Sequence, residues 1–222
     1  MKVAVIQFPG SNCDRDTVHV LKNVMKFDAE LIWHNEFKDG QYDAVVLPGG
    51  FSFGDHLRGG TIAAHSPATN AVIEMAGDGK PVLGICNGFQ ILIEAGLLPG
   101  ALLRNTSLKF VCKWMNLSIC SDKTAFTSSL NKSSTIRMPI AHNEGRFFAD
   151  EEVLDELEAE DRVVMKYSDE NPTGTSRGIA GVSNEDGNVV GMMPHPERAS
   201  EPELGGIDGR RIFESMAEWA RC

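Results

Sequence analysis

The chain has 222 residues and a mass of 24.2 kDa, and its mix of 42% hydrophobic and 23% charged residues is typical of a folded globular protein rather than of a disordered or fibrous one. Its 21 basic and 31 acidic side chains give a formal net charge of −10, which repels nucleic-acid phosphates and anionic membrane surfaces. We therefore expect a single domain over residues 1–222 that binds neither nucleic acid nor a membrane.

The first half of the chain alternates strand-like and helix-like patterns. Short apolar runs predict buried strands at 3–8, 29–34, 43–50 and 81–86. Apolar residues at helical spacing predict helices at 16–27, at about 60–75 and directly after Cys86. Strands that alternate with helices pair in parallel, because the crossover helices cover both faces of the sheet.

The second half is richer in β-structure. Segments 108–120, 134–142 and 162–168 read as strands, and segment 178–197 reads as a hairpin that turns at Asp186-Gly187. Acidic residues at 150–161 predict the solvated face of a short helix, with an acidic docking surface as the alternative. A helix is also expected at 208–221. The predicted fold is α/β: an open, mostly parallel, doubly wound sheet of flavodoxin-like type with added antiparallel strands.

The cellular compartment is indicated by the N-terminus and by the cysteines. The first apolar run is too short for a signal peptide, and no segment reaches the length of a membrane span. The cysteines are odd in number and form no CxxC pair, so neither a disulfide framework nor a cysteine-ligated metal site is predicted. We expect a cytoplasmic protein with five free thiols: Cys13, Cys86, Cys112, Cys120 and Cys222.

Cys86 lies where the fourth strand meets a helix, between Gly84 and Gly88. Ligands of open α/β sheets bind beyond the carboxyl ends of the strands. A strand-turn-helix with glycines around a nucleophile is a nucleophile elbow, and a helix N-terminus favours the thiolate. The plainer alternative is a core cysteine at a strand end, with glycines required for packing.

A thiolate nucleophile needs a base, and His195 in "MMPHPER" is our candidate. Prolines on both sides favour an extended backbone, so that His195 and Glu197 project to the same side and the carboxylate orients the imidazole. The alternative is a loop histidine beside a surface glutamate. Three other histidines lie in predicted regular elements and are expected to be structural: His19, His34 and His65.

Backbone N–H groups that stabilise an oxyanion are expected from the glycine pair at 49–50 and from the residue after the nucleophile. This assigns the N–H groups of Gly50 and Asn87. A phosphate-cradling loop is the competing interpretation of the glycines. The chain has neither G-x-x-x-x-G-K-[ST] nor G-x-G-x-x-G, so nucleotide binding by this chain is weakly supported.

Together these motifs resemble those of the class I glutamine amidotransferases, with their Cys, His and Glu triad. More narrowly, they are similar to the stand-alone glutaminase subunits of phosphoribosylformylglycinamidine synthase. The segments that carry this narrower resemblance are "FPGSNCDRD", "GGFSFGDHLRGG", "CNGFQILIEAGLLPGAL", "PIAHNEGRF" and "GNVVGMMPHPER". The sequence departs from the family pattern at Phe53 and His56, where tyrosines are more usual, and at Asn143, where glycine is.

The resemblance implies that Cys86 attacks the side-chain amide of glutamine, that a cysteinyl thioester forms, and that ammonia and glutamate are released. It makes Gln90, in the family's C-x-G-x-Q, a candidate contact to the amino acid portion of the substrate. It also implies two partners, a synthetase subunit that converts formylglycinamide ribonucleotide to formylglycinamidine ribonucleotide and a small bridging subunit. ATP and Mg²⁺ would then belong to the synthetase, and this subunit would hold neither a cofactor nor a metal.

Two other functions remain open from the sequence. A cysteine hydrolase or peptidase of related architecture would share the elbow but would need no partner. A catalytically silent scaffold subunit would have no use for an intact set of Cys86, His195 and Glu197.

Overall fold

The computed structural model describes residues 1–38 and 40–221, so Cys222 lies outside the described residues. The strands are β1 (Lys2–Gln7), β2 (Asp28–Trp33), β3 (Ala44–Leu47), β4 (Val82–Ile85), β5 (Ala101–Leu103), β6 (Val111–Ile119), β7 (Thr135–His142), β8 (Arg146–Phe148), β9 (Val163–Tyr167), β10 (Ile179–Ser183) and β11 (Val189–Met192). The α-helices are α1 (Asp14–His19), α2 (Thr61–Ala64), α3 (Pro67–Gly77), α4 (Asn87–Glu94), α5 (Glu151–Ala159) and α6 (Arg210–Trp219).

Nine strands form one sheet in the order β2-β1-β3-β4-β11-β10-β9-β6-β7. The pairs from β2 to β11 are all parallel, and those from β11 to β7 are all antiparallel. The parallel part has the strand order of flavodoxin-like folds, as predicted. The predicted hairpin is also confirmed: β10 and β11 pair, and Gly187 in the turn between them has φ +72°.

The parallel strands are buried on both faces, and this explains their continuous apolar sequences. Every residue of β3, β4 and β11 is buried. Helix α4 packs on these strands through Phe89, which is fully buried. A side chain at Gly191 would come within 1.9 Å of the Phe89 ring, so the glycine in β11 makes room for this contact.

The prediction of one continuous helix at 60–75 is wrong, because the structure has two helices there, α2 and α3. The chain bends at Ser66, whose backbone is extended and whose Oγ accepts a hydrogen bond from the Thr69 N–H at 3.3 Å. The cause is Pro67, which disfavours a helical conformation at the preceding residue but is well suited to the first turn of a new helix. The helix predicted at 16–27 begins earlier and ends earlier than expected: α1 begins at Asp14, ends at His19 and continues as a π-helical turn, Val20–Val24.

The short pair of β5 and β8 was not foreseen from the sequence. Each strand has only three residues, and they form a separate antiparallel ladder in which Leu102 pairs with Phe147. In the part of the chain that the structure describes, none of the helices has the length and apolar character needed to cross a bilayer.

Candidate active site

Cys86 lies at a strained turn between β4 and α4. Its φ and ψ of +50° and −100° are unusual for a residue with a side chain, and such conformations are concentrated at functional sites. The turn is held by a hydrogen bond from the Cys86 N–H to the Met192 carbonyl oxygen at 2.8 Å. The side chain is almost buried, and Sγ lies 3.8 Å from the Ala141 carbonyl oxygen. The structure thus contains the predicted elbow.

The glycines beside Cys86 are required for packing. A Cβ at Gly88 would lie 1.9 Å from the carbonyl oxygen of Leu47, the last residue of β3. A Cβ at Gly84 would lie 2.7 Å from the backbone of Gly88. These contacts show that the glycines let the first turn of α4 rest directly on the parallel strands.

His195 and Glu197 form a buried pair. His195 Nδ1 and Glu197 Oε1 are 2.6 Å apart, and the two residues are each 1% exposed. His195 is extended, but Glu197 lies in a 3₁₀ turn, Pro196–Ala199, rather than in a fully extended chain. Burial lowers the pKa of His195, but the Glu197 carboxylate and the thiols of Cys13 and Cys86 outweigh it and hold the pKa well above its ordinary value.

Cys13 is a site residue that the sequence analysis missed. It interacts with His195, and its Sγ accepts a hydrogen bond from Arg198 Nη2 at 3.1 Å. Gly49 makes this approach possible, because a Cβ there would lie 2.9 Å from His195 Cε1 and 3.0 Å from Cys13 Sγ. Cys13 follows β1, whose carboxyl end is at the same edge of the sheet as Cys86. The position of Cys13 after a predicted parallel strand is the sequence feature that could have identified it as a site residue.

Of the two predicted oxyanion donors, Gly50 lines the cavity that contains the thiol. Asn87 directly follows the thiol and begins α4, where the first N–H groups have no partner within the helix. Within residues 1–38 and 40–221, no hydrogen bond is found from the N–H of Gly50 or of Asn87. The Ser52 N–H donates to Asn87 Oδ1 at 3.0 Å and so ties the glycine loop to the helix.

The cavity has a volume of about 340 Å³ and is lined by Cys86, His195 and Gln90 among others. The Gln90 side chain is held on both sides: its Oε1 accepts from Asn87 Nδ2 and its Nε2 donates to the Glu144 carbonyl oxygen, both at 2.8 Å. The residue predicted to contact substrate is therefore a fixed part of the cavity wall.

His142, to which the sequence analysis gave no role, also lines this cavity. It is 3% exposed, and neither ring nitrogen has a hydrogen-bond partner among the described residues. Burial, and next the charge of His195, lower the pKa of His142 to about 3. The ring is therefore neutral at physiological pH.

The histidines expected to be structural lie outside the cavity. His34 is buried and stacks on Phe8 with ring centroids 5.4 Å apart. His19 is at the surface, where its Nε2 lies 2.9 Å from Glu201 Oε2. His65 is exposed and follows α2.

One group of side chains has a spacing that a single metal ion could bridge. The ligand atoms of Cys13, His195 and Glu197 lie within 4.8 Å of one another. The His195 nitrogen that faces Glu197 is already hydrogen-bonded to the carboxylate. This arrangement orients the imidazole for acid and base catalysis, and its other nitrogen, Nε2, has no hydrogen-bond partner among the described residues.

Comparisons with known proteins show which family the chain belongs to. Residues 1–220 match the family described as CobB/CobQ-like glutamine amidotransferase domain. Phosphoribosylformylglycinamidine synthase subunit PurQ of Methanosarcina acetivorans is 53% identical, over 99% of this chain and 98% of that protein. The structure of PurLQS from Thermotoga maritima contains a chain with a TM-score of 0.90 and 44% identity, with 98% of each chain covered. The glutaminase domain of Trypanosoma brucei CTPS, at 14% identity and a TM-score of 0.63, shares the fold.

Fold and family thus define a class I glutamine amidotransferase. Within that class, the chain belongs to the PurQ family, the glutaminase subunits of phosphoribosylformylglycinamidine synthase.

Proposed function

We propose that this amidotransferase hydrolyses glutamine at Cys86, with His195 as general base and acid and Glu197 as the residue that orients the imidazole. The observation that carries the assignment is the buried His195–Glu197 pair, 2.6 Å apart, whose imidazole lines the same cavity as a thiol at a strand-helix elbow. No other histidine of the described chain combines a carboxylate partner with burial beside that thiol.

The chemistry follows from this arrangement. His195 takes the proton of the Cys86 thiol as sulfur attacks the amide carbon, and the N–H groups of Gly50 and Asn87 bind the oxyanion. The imidazolium then protonates the leaving nitrogen, so that ammonia departs and a γ-glutamyl thioester remains. A water molecule attacks the thioester while His195 accepts its proton. Glutamate leaves, and the proton returns to the sulfur.

The partners are part of the proposal. We infer that the ammonia passes to a synthetase subunit like PurL, which binds ATP and Mg²⁺ and uses formylglycinamide ribonucleotide, with a small PurS-like subunit as bridge. Support comes from the Thermotoga maritima relative, whose structure is that of PurLQS. The chain is then the amide-hydrolysing component of an ATP-dependent carbon–nitrogen ligase, and we propose that it works in the cytoplasm.

The test is an assay of ammonia release from glutamine, with and without the synthetase and bridging subunits. We expect turnover by the assembled wild-type complex and none by Cys86→Ala, while both complexes use free ammonium equally well. Labelling with diazo-oxo-norleucine should modify Cys86 alone. Normal turnover by Cys86→Ala would reject the mechanism, and loss of the ammonium reaction would show a wider role of the subunit than ammonia supply.

A further inference from the structure

The cavity that contains Cys86 is also lined by two carboxylates, Asp55 and Glu144. Within the described part of the chain, Asp55 has no ion pair with any lysine or arginine, and its carboxylate accepts a hydrogen bond from Asn87 Nδ2 at 3.5 Å. Glu144 accepts hydrogen bonds from the Gly59 N–H at 3.3 Å and from Arg104 Nε at 3.4 Å. The Arg104 side chain is 71% exposed, so its charge is largely screened by water.

The Glu144 carboxylate disfavours the charged form of Asp55. Burial, and next the charge of Glu144, raise the pKa of Asp55 to about 6. An acid in this situation is stabilised by any cation that enters the cavity. The pair therefore favours a positively charged group of a ligand.

The residues that carry the carboxylates contact the first turn of α4: Asp55 contacts Asn87, and the Glu144 backbone contacts Gln90. Gln90 follows Cys86 by one turn of α4, and its Nε2 donates to the Glu144 backbone. The loop that carries Asp55 packs on the same side chain, since a Cβ at Gly59 would lie 2.5 Å from Gln90 Oε1. A ligand whose reacting group is at Cys86 thus has its far end beside Asp55 and Glu144.

A second feature of the cavity indicates a polar ligand. His142 is 3% exposed, lines the cavity and has no hydrogen-bond partner for either ring nitrogen within residues 1–38 and 40–221. Buried polar atoms are rarely left without a partner. Polar groups of a bound molecule would supply hydrogen-bond partners for the ring nitrogens of His142.

We propose that Asp55 and Glu144 bind the α-ammonium group of glutamine while its side-chain amide lies at Cys86. This inference rests on the proposed glutaminase function and deepens it. The pair makes the site specific for the free amino acid, because a glutamine residue inside a peptide has no α-ammonium group. It also separates this site from that of a peptidase with the same elbow.

The test compares L-glutamine with glutaramate, the same amide without the α-amino group, in the assembled complex. For Asp55→Asn and for Glu144→Gln we expect KM for glutamine to rise on the order of 10- to 100-fold with kcat little changed, as for the loss of one charged hydrogen bond. KM for glutaramate should be the same in wild type and variants. Asn is a suitable replacement at position 55, where φ is +52°, because it tolerates this conformation.

Glu214→Gln is the matched control, since it removes one negative charge from the exposed face of α6. It should leave the KM of both substrates unchanged. The rate at which iodoacetamide labels Cys86 should be that of wild type in every variant and reports an intact site. The inference is overturned if KM rises equally for both substrates, or if kcat falls while KM for glutamine stays constant. A wild-type complex that releases no ammonia from glutamine would instead reject the proposed function.

Discussion

The thiol of Cys13 lies within 4.8 Å of a ring nitrogen of His195, the imidazole that we propose as the base for Cys86. The two cysteines therefore share one histidine but differ in their surroundings. Burial raises the pKa of Cys13 and outweighs the opposing influence of the neighbouring His195. Cys86 lies instead at the strained turn that begins α4 and lines the cavity.

Alkylation rates should reflect this difference. With limiting iodoacetamide near pH 8, we expect Cys86 and the exposed Cys112 to be modified before Cys13 and Cys120, because burial raises the pKa of the latter two thiols. Peptide mapping by mass spectrometry measures the order. Cys86→Ala is the control that identifies the fast active-site signal. Modification of Cys13 as rapid as that of Cys86 would contradict the assignment of the nucleophile.

Replacement of Glu197 by Gln should lower kcat for glutamine hydrolysis on the order of 10²- to 10⁴-fold, because the carboxylate bonded to Nδ1 orients the ring and stabilises the imidazolium. The matched control is Glu201→Gln, which changes the partner of the exposed His19 and should leave kcat unchanged. Both variants are assayed in the assembled complex. Equal kcat values for the two would exclude Glu197 from the triad.

Replacement of Gly88 by Ala should destabilise the fold. The new Cβ would lie 1.9 Å from the Leu47 carbonyl oxygen, so α4 would have to move off the sheet, at a cost of about 1–3 kcal/mol or more. Gly77→Ala in α3 is the control. Its Cβ meets no atom within 4 Å, and the better helix propensity of alanine should stabilise the protein by up to about 1 kcal/mol. The midpoints of urea unfolding measure both effects, and a Gly88→Ala midpoint equal to that of wild type would refute the packing argument.

His142 should make stability depend on pH. The histidine of the unfolded chain, with a pKa near 6.5, takes up a proton as the pH falls, whereas folded His142 stays neutral down to about pH 3. Between these two pKa values the unfolded state binds more protons than the folded state. The contribution of His142 to the free energy of unfolding therefore decreases as the pH decreases, by up to about 1.4 kcal/mol per pH unit.

The comparison of wild type with His142→Leu isolates this contribution. Burial also lowers the pKa of His34, but that residue is present in both proteins and its effect cancels in the difference. Urea unfolding between pH 7 and pH 4 should show a smaller loss of stability on acidification in the variant. Parallel pH profiles would show that His142 is protonated in the folded protein.

Much of the fold was predictable because its signals are local. Continuous apolar runs predicted β1, β3 and β4, and Asp186-Gly187 predicted the turn between β10 and β11. The break between α2 and α3 was also encoded locally, by Pro67, and apolar spacing alone concealed it. The three-residue pair β5 and β8 had no such signal, since strands this short form only where other elements bring them together.

The sequence by itself determined the elbow around Cys86 and the pairing of His195 with Glu197, because each arrangement depends on residues only one or two positions apart. Only the tertiary structure decided that Cys13 lies against the same imidazole and that Asp55 and Glu144 face one cavity. These contacts join segments from separate strand ends. Their proximity follows from the order in which the strands assemble in the sheet, and burial of the whole core selects that order.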